Sequence, residues 1–264
     1  MPNYADINGR PMKKLQIQQY LRKLQLNDFE PAVNLATLTK LQDAHLKYIP
    51  YENFDSLNGK ITSLKRQDMF NKVIMHNRGG ICFELNSIFC WLMDAMGYEV
   101  YPLHVRLLMR PDMPAPITHR GNMAIIDGVK YFSDVGFGGP GPKGLICVDE
   151  TEVQYVAGEP FIVEKDGVYV TISRQNEGKW FPIIRFADIP AVHEDFDFLL
   201  FAFTVDPEAH FVKSRIVNLC RPDGDYLALT DMDFTKKENG QVTKRTLANE
   251  EEVWEVLRTE FGIE

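Results

Sequence analysis

The chain has 264 residues, 45% of them hydrophobic, enough for one substantial core or two to three small modules. A net charge of −8 and the lack of any basic stripe argue against a nucleic-acid partner. No apolar run reaches the ~18 residues of a membrane span, and "MPNYADINGRPMKK" has no signal-like apolar core; no membrane association and a cytoplasmic location are expected.

Helices come first. "MKKLQIQQYLRKLQL" offers Leu15, Leu21 and Leu24 as an apolar face. "EPAVNLATLTKLQDAHLKYIP" carries Leu35, Leu38, Leu41 and Leu46 at helical spacing and should stop before Pro50. "QDMFNKVIMHNRGG" places Phe70, Val73 and Ile74 together, with Gly79 and Gly80 as the expected C-cap pair. A further helix begins near Cys82, where Leu85, Ile88, Phe89, Leu92 and Met96 recur with the helical period, and Gly97 closes it.

From Tyr98 the period becomes that of strands. "YEVYPLHVRLLM" leads into the proline-rich loop "RPDMPAPITHR". Asp-Gly pairs then join apolar runs in "NMAIIDGVKYFSD" and "FIVEKDGVYVTIS", the strongest short hairpin signal there is. "DFDFLLFAF" reads as a short helix or strand, "FVKSRIVNLC" follows, and "NEEEVWEVLRTEF" forms a terminal helix. The order of helices, antiparallel strands and a mixed end makes the fold class α+β, not alternating βαβ.

Cys82 stands immediately after Gly79, Gly80 and Ile81, at a helix start. Unpaired N–H groups and the helix dipole favour a thiolate at such a position, and the glycines should turn the chain sharply and leave the sulfur uncrowded. A two-residue turn at Asp127 and Gly128 pairs Ile126 with Val129. Continued without a break, the ladder sets Asp134 opposite Gly121 and His119 opposite Gly136. His119 and Asp134 then share a face as diagonal neighbours about 7–8 Å apart at the backbone, within reach of an imidazole and a carboxylate. Cysteine, histidine and aspartate so placed form the thiol version of an activated nucleophile. Singly, each has a structural alternative: a core cysteine, a loop histidine, a turn-capping aspartate. Together they are hard to read as coincidence. Glu84 would oppose a thiolate if it faced Cys82, so it is expected to point away, into a contact with Arg78. Cys90 is read as a core residue. None of the four cysteines forms a C-x-x-C pair and the six histidines are scattered, so neither a metal nor a disulfide is expected.

These residues resemble a known family. "RGGICFELN" resembles the R-G-G-x-C-x-E-x-N signature of arylamine N-acetyltransferases, "IPYENFD" their P-F-E-N segment and "DVGFGG" their D-x-G-F-G segment. Similarity extends to "TVDPEAHF" and "RPDGDYLAL" near the end. The resemblance implies a helical bundle carrying the nucleophile over 1–97, a β-barrel carrying His and Asp over 98–190, and an α/β lid over 191–264, around a papain-like Cys82–His119–Asp134 core. It also implies ping-pong chemistry through an acetyl-cysteine. Acetyl-CoA would be the donor cosubstrate, with no metal, and an arylamine, arylhydrazine or N-hydroxyarylamine the acceptor. Phe137 would line the acceptor pocket. Tyr51, where the family usually has Phe, would stand near the thiol and the pantetheine path. The departures at Tyr51, "LLFAFTVDPEAHF" and "FGGPGPKGL" bear on acceptor preference. Beside acetyl transfer stand a cysteine hydrolase or transglutaminase-like enzyme, an amide synthase with another acyl donor, and a non-catalytic aromatic-binding relative.

Overall fold

The computed structural model describes residues 10–29, 32–110, 114–139, 141–206, 209–221 and 223–263. Residues 1–9 of the N-terminal stretch, Glu30, Pro31, 111–113 of the proline loop, Pro140, Pro207, Glu208, Pro222 and Glu264 therefore lie outside the described residues.

Helix α1 (Lys14–Lys23) buries Tyr20 and Leu21, with Leu24 beyond its end. Leu15 is 65% exposed, contrary to the expected face, because at 100° per residue it lies half a turn away from Leu24. Helix α2 (Leu35–Tyr48) is capped by Asn34, whose side chain accepts from the Thr37 N–H at 2.8 Å. It buries Leu38, Leu41 and Leu46 and leaves Leu35 partly exposed. After strand β1 (Tyr51–Glu52) and the short α3 (Phe54–Leu57), helix α4 (Arg66–Phe70) runs into a π turn over Asn71–Met75. This helix ends at His76 and Asn77, with φ +52° at Asn77, so Gly79 and Gly80 are not its cap.

Helix α5 (Cys82–Ala95) is buried from Cys82 to Met93 on every side, as an apolar helix must be. Gly97 takes φ +93° just beyond it.

Eight antiparallel strands follow: β2 (Glu99–Leu107), β3 (Ile117–Ile126), β4 (Val129–Ser133), β5 (Ile146–Cys147), β6 (Gln154–Val156), β7 (Glu159–Asp166), β8 (Tyr169–Asn176) and β9 (Lys179–Ala187). Their order is β5-β4-β3-β2-β9-β8-β7-β6, a nearly closed barrel. The gap between its edge strands is spanned by Gln154. Its amide accepts from the Cys147 N–H and donates to the Cys147 carbonyl, both at 2.8 Å, as a neighbouring strand would.

The β3–β4 turn is as expected. Ile126 pairs with Val129, and Asp127 and Gly128 both have positive φ, the conformation that a two-residue type I′ turn demands. In the second hairpin Asp166 still pairs with Tyr169, so Gly167 and Val168 make the turn instead of Asp166 and Gly167.

Beyond α6 (Asp195–Val205) and α7 (His210–Lys213), a second antiparallel sheet has the order β1-β10-β11-β12-β13, with β10 (Ile216–Cys220), β11 (Tyr226–Thr230), β12 (Asp233–Glu238) and β13 (Gln241–Thr246). Helix α8 (Glu250–Glu260) packs on it through Val253, Val256 and Leu257. Strand β1 joins this sheet through Tyr51 opposite Asn218, and its neighbour Phe54 enters the same apolar cluster. The C-terminal sheet is thereby stitched to the segment that precedes Cys82, since the Glu52 N–H also donates to the Gly80 carbonyl at 3.0 Å.

Candidate active site

Three buried polar residues meet where α5, β3 and the turn after β4 converge: Cys82, His119 and Asp134, each at most 4% exposed. His119 Nε2 lies 2.6 Å from Asp134 Oδ2. That leaves Nδ1 for the Cys82 thiol, the ring's other hydrogen-bonding neighbour. Burial alone would lower the proton affinity of this imidazole. The adjacent Asp134 carboxylate and Cys82 sulfur outweigh burial and push its pKa up to about 10.

The route by which His119 and Asp134 meet differs from an unbroken ladder. Pairing of β3 with β4 stops at Asn122 and Ser133, one pair short of Gly121 and Asp134. On its other side β3 carries an irregularity next to His119, because Val105 pairs with His119 and Arg106 already with Ile117. Such a bulge re-aims the residues beside it. The turn after β4 is instead held by side chains. Asp134 Oδ1 accepts from the Asn86 amide and from the Gly136 N–H, both at 2.8 Å. Ser133 donates to Gln42 at 2.6 Å.

Glycine is demanded at Gly136, where a Cβ would come within 2.7 Å of the Cys82 Cα. The Gly79–Gly80 pair has another reason than the sharp turn expected of it. A Cβ on Gly79 would lie 1.9 Å from the Pro50 carbonyl oxygen, and one on Gly80 2.8 Å from Glu84 Oε2. The pair makes room for β1 and for the Glu84 carboxylate.

Glu84 does point away from Cys82, but its partner is Lys72, not Arg78. Lys72 Nζ donates to both Glu84 oxygens at 2.9 and 3.1 Å, and Glu84 Oε2 accepts from the Ile81 N–H at 3.0 Å. Lys72 also lies 2.9 Å from Asp55, while Arg78 pairs with Glu52 at 2.8 Å and reaches Asp55 at 3.5 Å. Burial opposes the charge on Lys72, but the three carboxylates prevail and raise its pKa; burial pushes Glu84 up despite Lys72. A cavity of about 520 Å³ opens over this network; Asp55, Lys72, Arg78 and Glu84 are among its walls, together with Ile61, Ser63, Asn71 and His76, and Cys82 is not.

Phe137 lies against His119, with ring centroids 5.5 Å apart and edge to face. The ring of Tyr51 is buried beneath Gly138, whose Cβ would sit 3.1 Å from it. Burial, the Cys82 sulfur, Glu52 and Glu84 together keep the Tyr51 hydroxyl protonated far above its ordinary range. Beyond Gly138 and Gly139 lies a cavity of about 360 Å³, between the barrel and the C-terminal sheet, lined also by Lys143, Arg174, Asn218 and Tyr226.

Cys90 is a core thiol as expected, and burial pushes its pKa up to about 11. Asn86, Lys72 and Arg120 join the site without having stood out in the sequence. Asn86 had a signal, four residues after Cys82 within "RGGICFELN". Lys72 sits in the π turn, which periodicity does not announce. Arg120 is fully buried, 3.2 Å from His193 Nδ1 and over the Phe196 ring at 4.6 Å, and it fastens α6 to β3. Among the described residues no helix is long and apolar enough to cross a membrane, and no group of three or more His, Cys, Asp or Glu is arranged to hold a metal ion.

A family model described as N-acetyltransferase matches residues 34–264. The chain is 29% identical to an arylamine N-acetyltransferase of Mycolicibacterium smegmatis over 251 residues, 93% of this chain and 90% of that one. It is 27% identical to proansamycin X synthase of Amycolatopsis mediterranei (strain S699) over 251 residues, covering 91% and 95%. Among solved structures, the arylamine N-acetyltransferase of Mycobacterium marinum in complex with CoA superposes with a TM-score of 0.85 at 25% identity, covering 94% of this chain and 92% of that one.

Proposed function

The chain belongs to the arylamine N-acetyltransferase family, and from that premise we propose that it moves an acetyl group from acetyl-CoA to an aromatic amine or hydrazine through Cys82. The observation that carries the reading is the 2.6 Å contact of His119 with Asp134, behind a thiol at the start of a helix. Cys82 is the nucleophile, His119 the acid and base, and Asp134 the group that holds the ring. In the first half-reaction the sulfur attacks the thioester carbonyl. The C–S bond to CoA breaks, and the departing CoA sulfur takes the proton from His119. In the second, the acceptor nitrogen attacks acetyl-Cys82, His119 takes the nitrogen's proton, and the thiolate is restored.

The backbone N–H of Cys82, at the first helical position, has no intrahelical carbonyl to bond. It is the donor for the acyl oxygen as negative charge develops there. The 360 Å³ cavity is the donor's path, with Lys143 and Arg174 as cations for its phosphates and the Gly138–Gly139 backbone leading to Tyr51 and the thiol. A CoA complex of a structural relative supports CoA as the carrier. Phe137 forms the acceptor's aromatic wall. The three regions 1–97, 98–190 and 191–264 then act as the nucleophile's support, the support of the base, and the wall that closes the donor path.

The test is the intact mass after mixing with acetyl-CoA alone. A stable acetyl adduct that Cys82→Ala abolishes is expected. No adduct, with turnover of another thioester, would favour the second reading, a synthase that uses another acyl donor on the same three residues, for which the likeness to proansamycin X synthase speaks. An adduct that water clears as fast as it forms would make the protein a hydrolase.

A further inference from the structure

Asn86 lies four residues beyond Cys82 on α5, on the same face one turn on, and is wholly buried. Its Nδ2 donates to the Arg120 carbonyl at 2.6 Å and to Asp134 Oδ1 at 2.8 Å. Its Oδ1 accepts from the Val135 N–H at 2.9 Å and from Asn122 Nδ2 at 3.5 Å. Two donors and two acceptor sites are all that a side-chain amide has. The orientation of the amide follows from this environment, since the groups facing Nδ2 are a carbonyl and a carboxylate and the backbone group facing Oδ1 is an N–H.

These four bonds join the helix of Cys82, the strand of His119 and the turn of Asp134. Their effect on Asp134 is directional. Asn86 and the Gly136 N–H hold Oδ1, so the carboxylate cannot rotate and Oδ2 is left facing His119 at 2.6 Å. Resting on the acyl-transfer reading above, we propose that Asn86 is a positioning residue of the reaction: it fixes the Asp134 carboxylate relative to the Cys82 helix and acts on the thiol only through Asp134 and His119. A residue that merely joined helix to barrel would show no dependence on Asp134.

The experiment is a double-mutant cycle with a readout that stability alone does not move. The rate of Cys82 alkylation by iodoacetamide is measured at about pH 6 and about pH 9 in wild type, Asn86→Ala, Asp134→Asn and the double variant. Asn86→Ala should lower the ratio of the two rates about tenfold, the effect of one unit of lost proton affinity at the imidazole. In the Asp134→Asn background it should change the ratio less than about twofold, because sites that act through one another are not additive. Additive losses, or an unchanged ratio in Asn86→Ala beside a low-pH-reactive wild type, would overturn the role of Asn86 alone. An ordinary thiol profile in wild type would instead refute the pairing of Cys82 with His119 on which the proposal rests.

Where Asn86→Ala does not fold, Asn86→Asp keeps the volume. At low pH one shared proton preserves the bond to Asp134, and its loss sets two carboxylates against each other. CoA release from acetyl-CoA should then fall relative to wild type as pH rises; a ratio to wild type that is constant across pH would overturn the proposal.

Discussion

His119 Nε2 and Asp134 Oδ2 lie 2.6 Å apart although their strands have stopped pairing at Asn122 and Ser133. The backbone ladder brings the two residues near, and side chains complete the approach. A carboxylate held by two donors on one oxygen leaves its other oxygen facing the imidazole, whose protonated form it favours.

Replacing Asp134 with Asn keeps the size and removes that charge. Turnover should fall by about 10⁴, the loss seen when an orienting carboxylate is neutralised in another triad enzyme, with a near-native thermal melt. Near-wild-type turnover would leave Asp134 as a turn residue, for which Asn serves as well.

The raised pKa of His119 sets a pH dependence of stability. Its folded value of about 10 lies above the unfolded value of about 6.5. The contribution is therefore complete below about pH 6.5 and is lost as pH climbs through about 10. The difference in denaturation midpoint between wild type and His119→Ala should shrink steadily from about pH 7 to pH 10. A difference that is constant or grows over that range would contradict a protonated ring in the folded state.

Much of this was legible in the sequence because the signals were local. The Asp127–Gly128 turn fixed the register that brings His119 towards Asp134, and the apolar period after Cys82 placed the thiol at a helix start. Long-range side-chain choices left no such trace. Glu84 was expected to turn away, and does, but whether Lys72 or Arg78 receives it depends on a π turn that advances Lys72 towards three carboxylates. Gly79 and Gly80 read as a helix cap because that is what paired glycines after a helix most often mean. Only the packed structure shows the Pro50 carbonyl and the Glu84 carboxylate occupying the space of their missing side chains. Leu15 falls off the buried face for a simpler reason: nine residues at 100° each set it half a turn from Leu24, whereas Leu21, three residues before Leu24, shares its face.

Removing the cation from the buried network tests its weight. In Lys72→Met the carboxylates of Glu52, Asp55 and Glu84 keep Arg78, paired with Glu52 and 3.5 Å from Asp55, and the exposed Lys60, 3.7 Å from Asp55. The variant should lose about 3–5 kcal/mol of stability by urea denaturation, the cost of breaking a buried pair by removing one partner. Adding Glu84→Gln should restore part of it. A loss below about 1 kcal/mol would mean that water already screens the network.

Gly136→Ala probes the contact between the Asp134 turn and Cys82. The added methyl would stand 2.7 Å from the Cys82 Cα and 3.0 Å from Asn86 Nδ2, so one of them must move. Overpacking of this kind costs about 1–3 kcal/mol, while a 1 Å displacement of catalytic groups can cost about 10² in rate. Turnover should therefore fall far more than the melting temperature does. Equal proportional losses would indicate that the glycine serves folding only.

On the proposed acyl-transfer reading, Phe137 is the wall that selects the acceptor. Its ring meets the His119 imidazole edge to face at 5.5 Å, beside the group proposed to take the proton from the incoming nitrogen. A flat aryl amine can pack on that ring where an aliphatic amine has little to gain. Phe137→Ala removes the wall without removing the thiol, the base or the carboxylate. Acetylation of Cys82 by acetyl-CoA should thus persist while the ranking of anilines and hydrazines changes, by roughly 1–3 kcal/mol between substrates, the scale of small changes in apolar pockets. The two half-reactions need to be followed separately, CoA release first and aryl acetylation second. An unchanged ranking would return Phe137 to the apolar cluster of the barrel, against which it also packs. Loss of the first half-reaction would show that the ring holds His119 in place, since that step needs no acceptor.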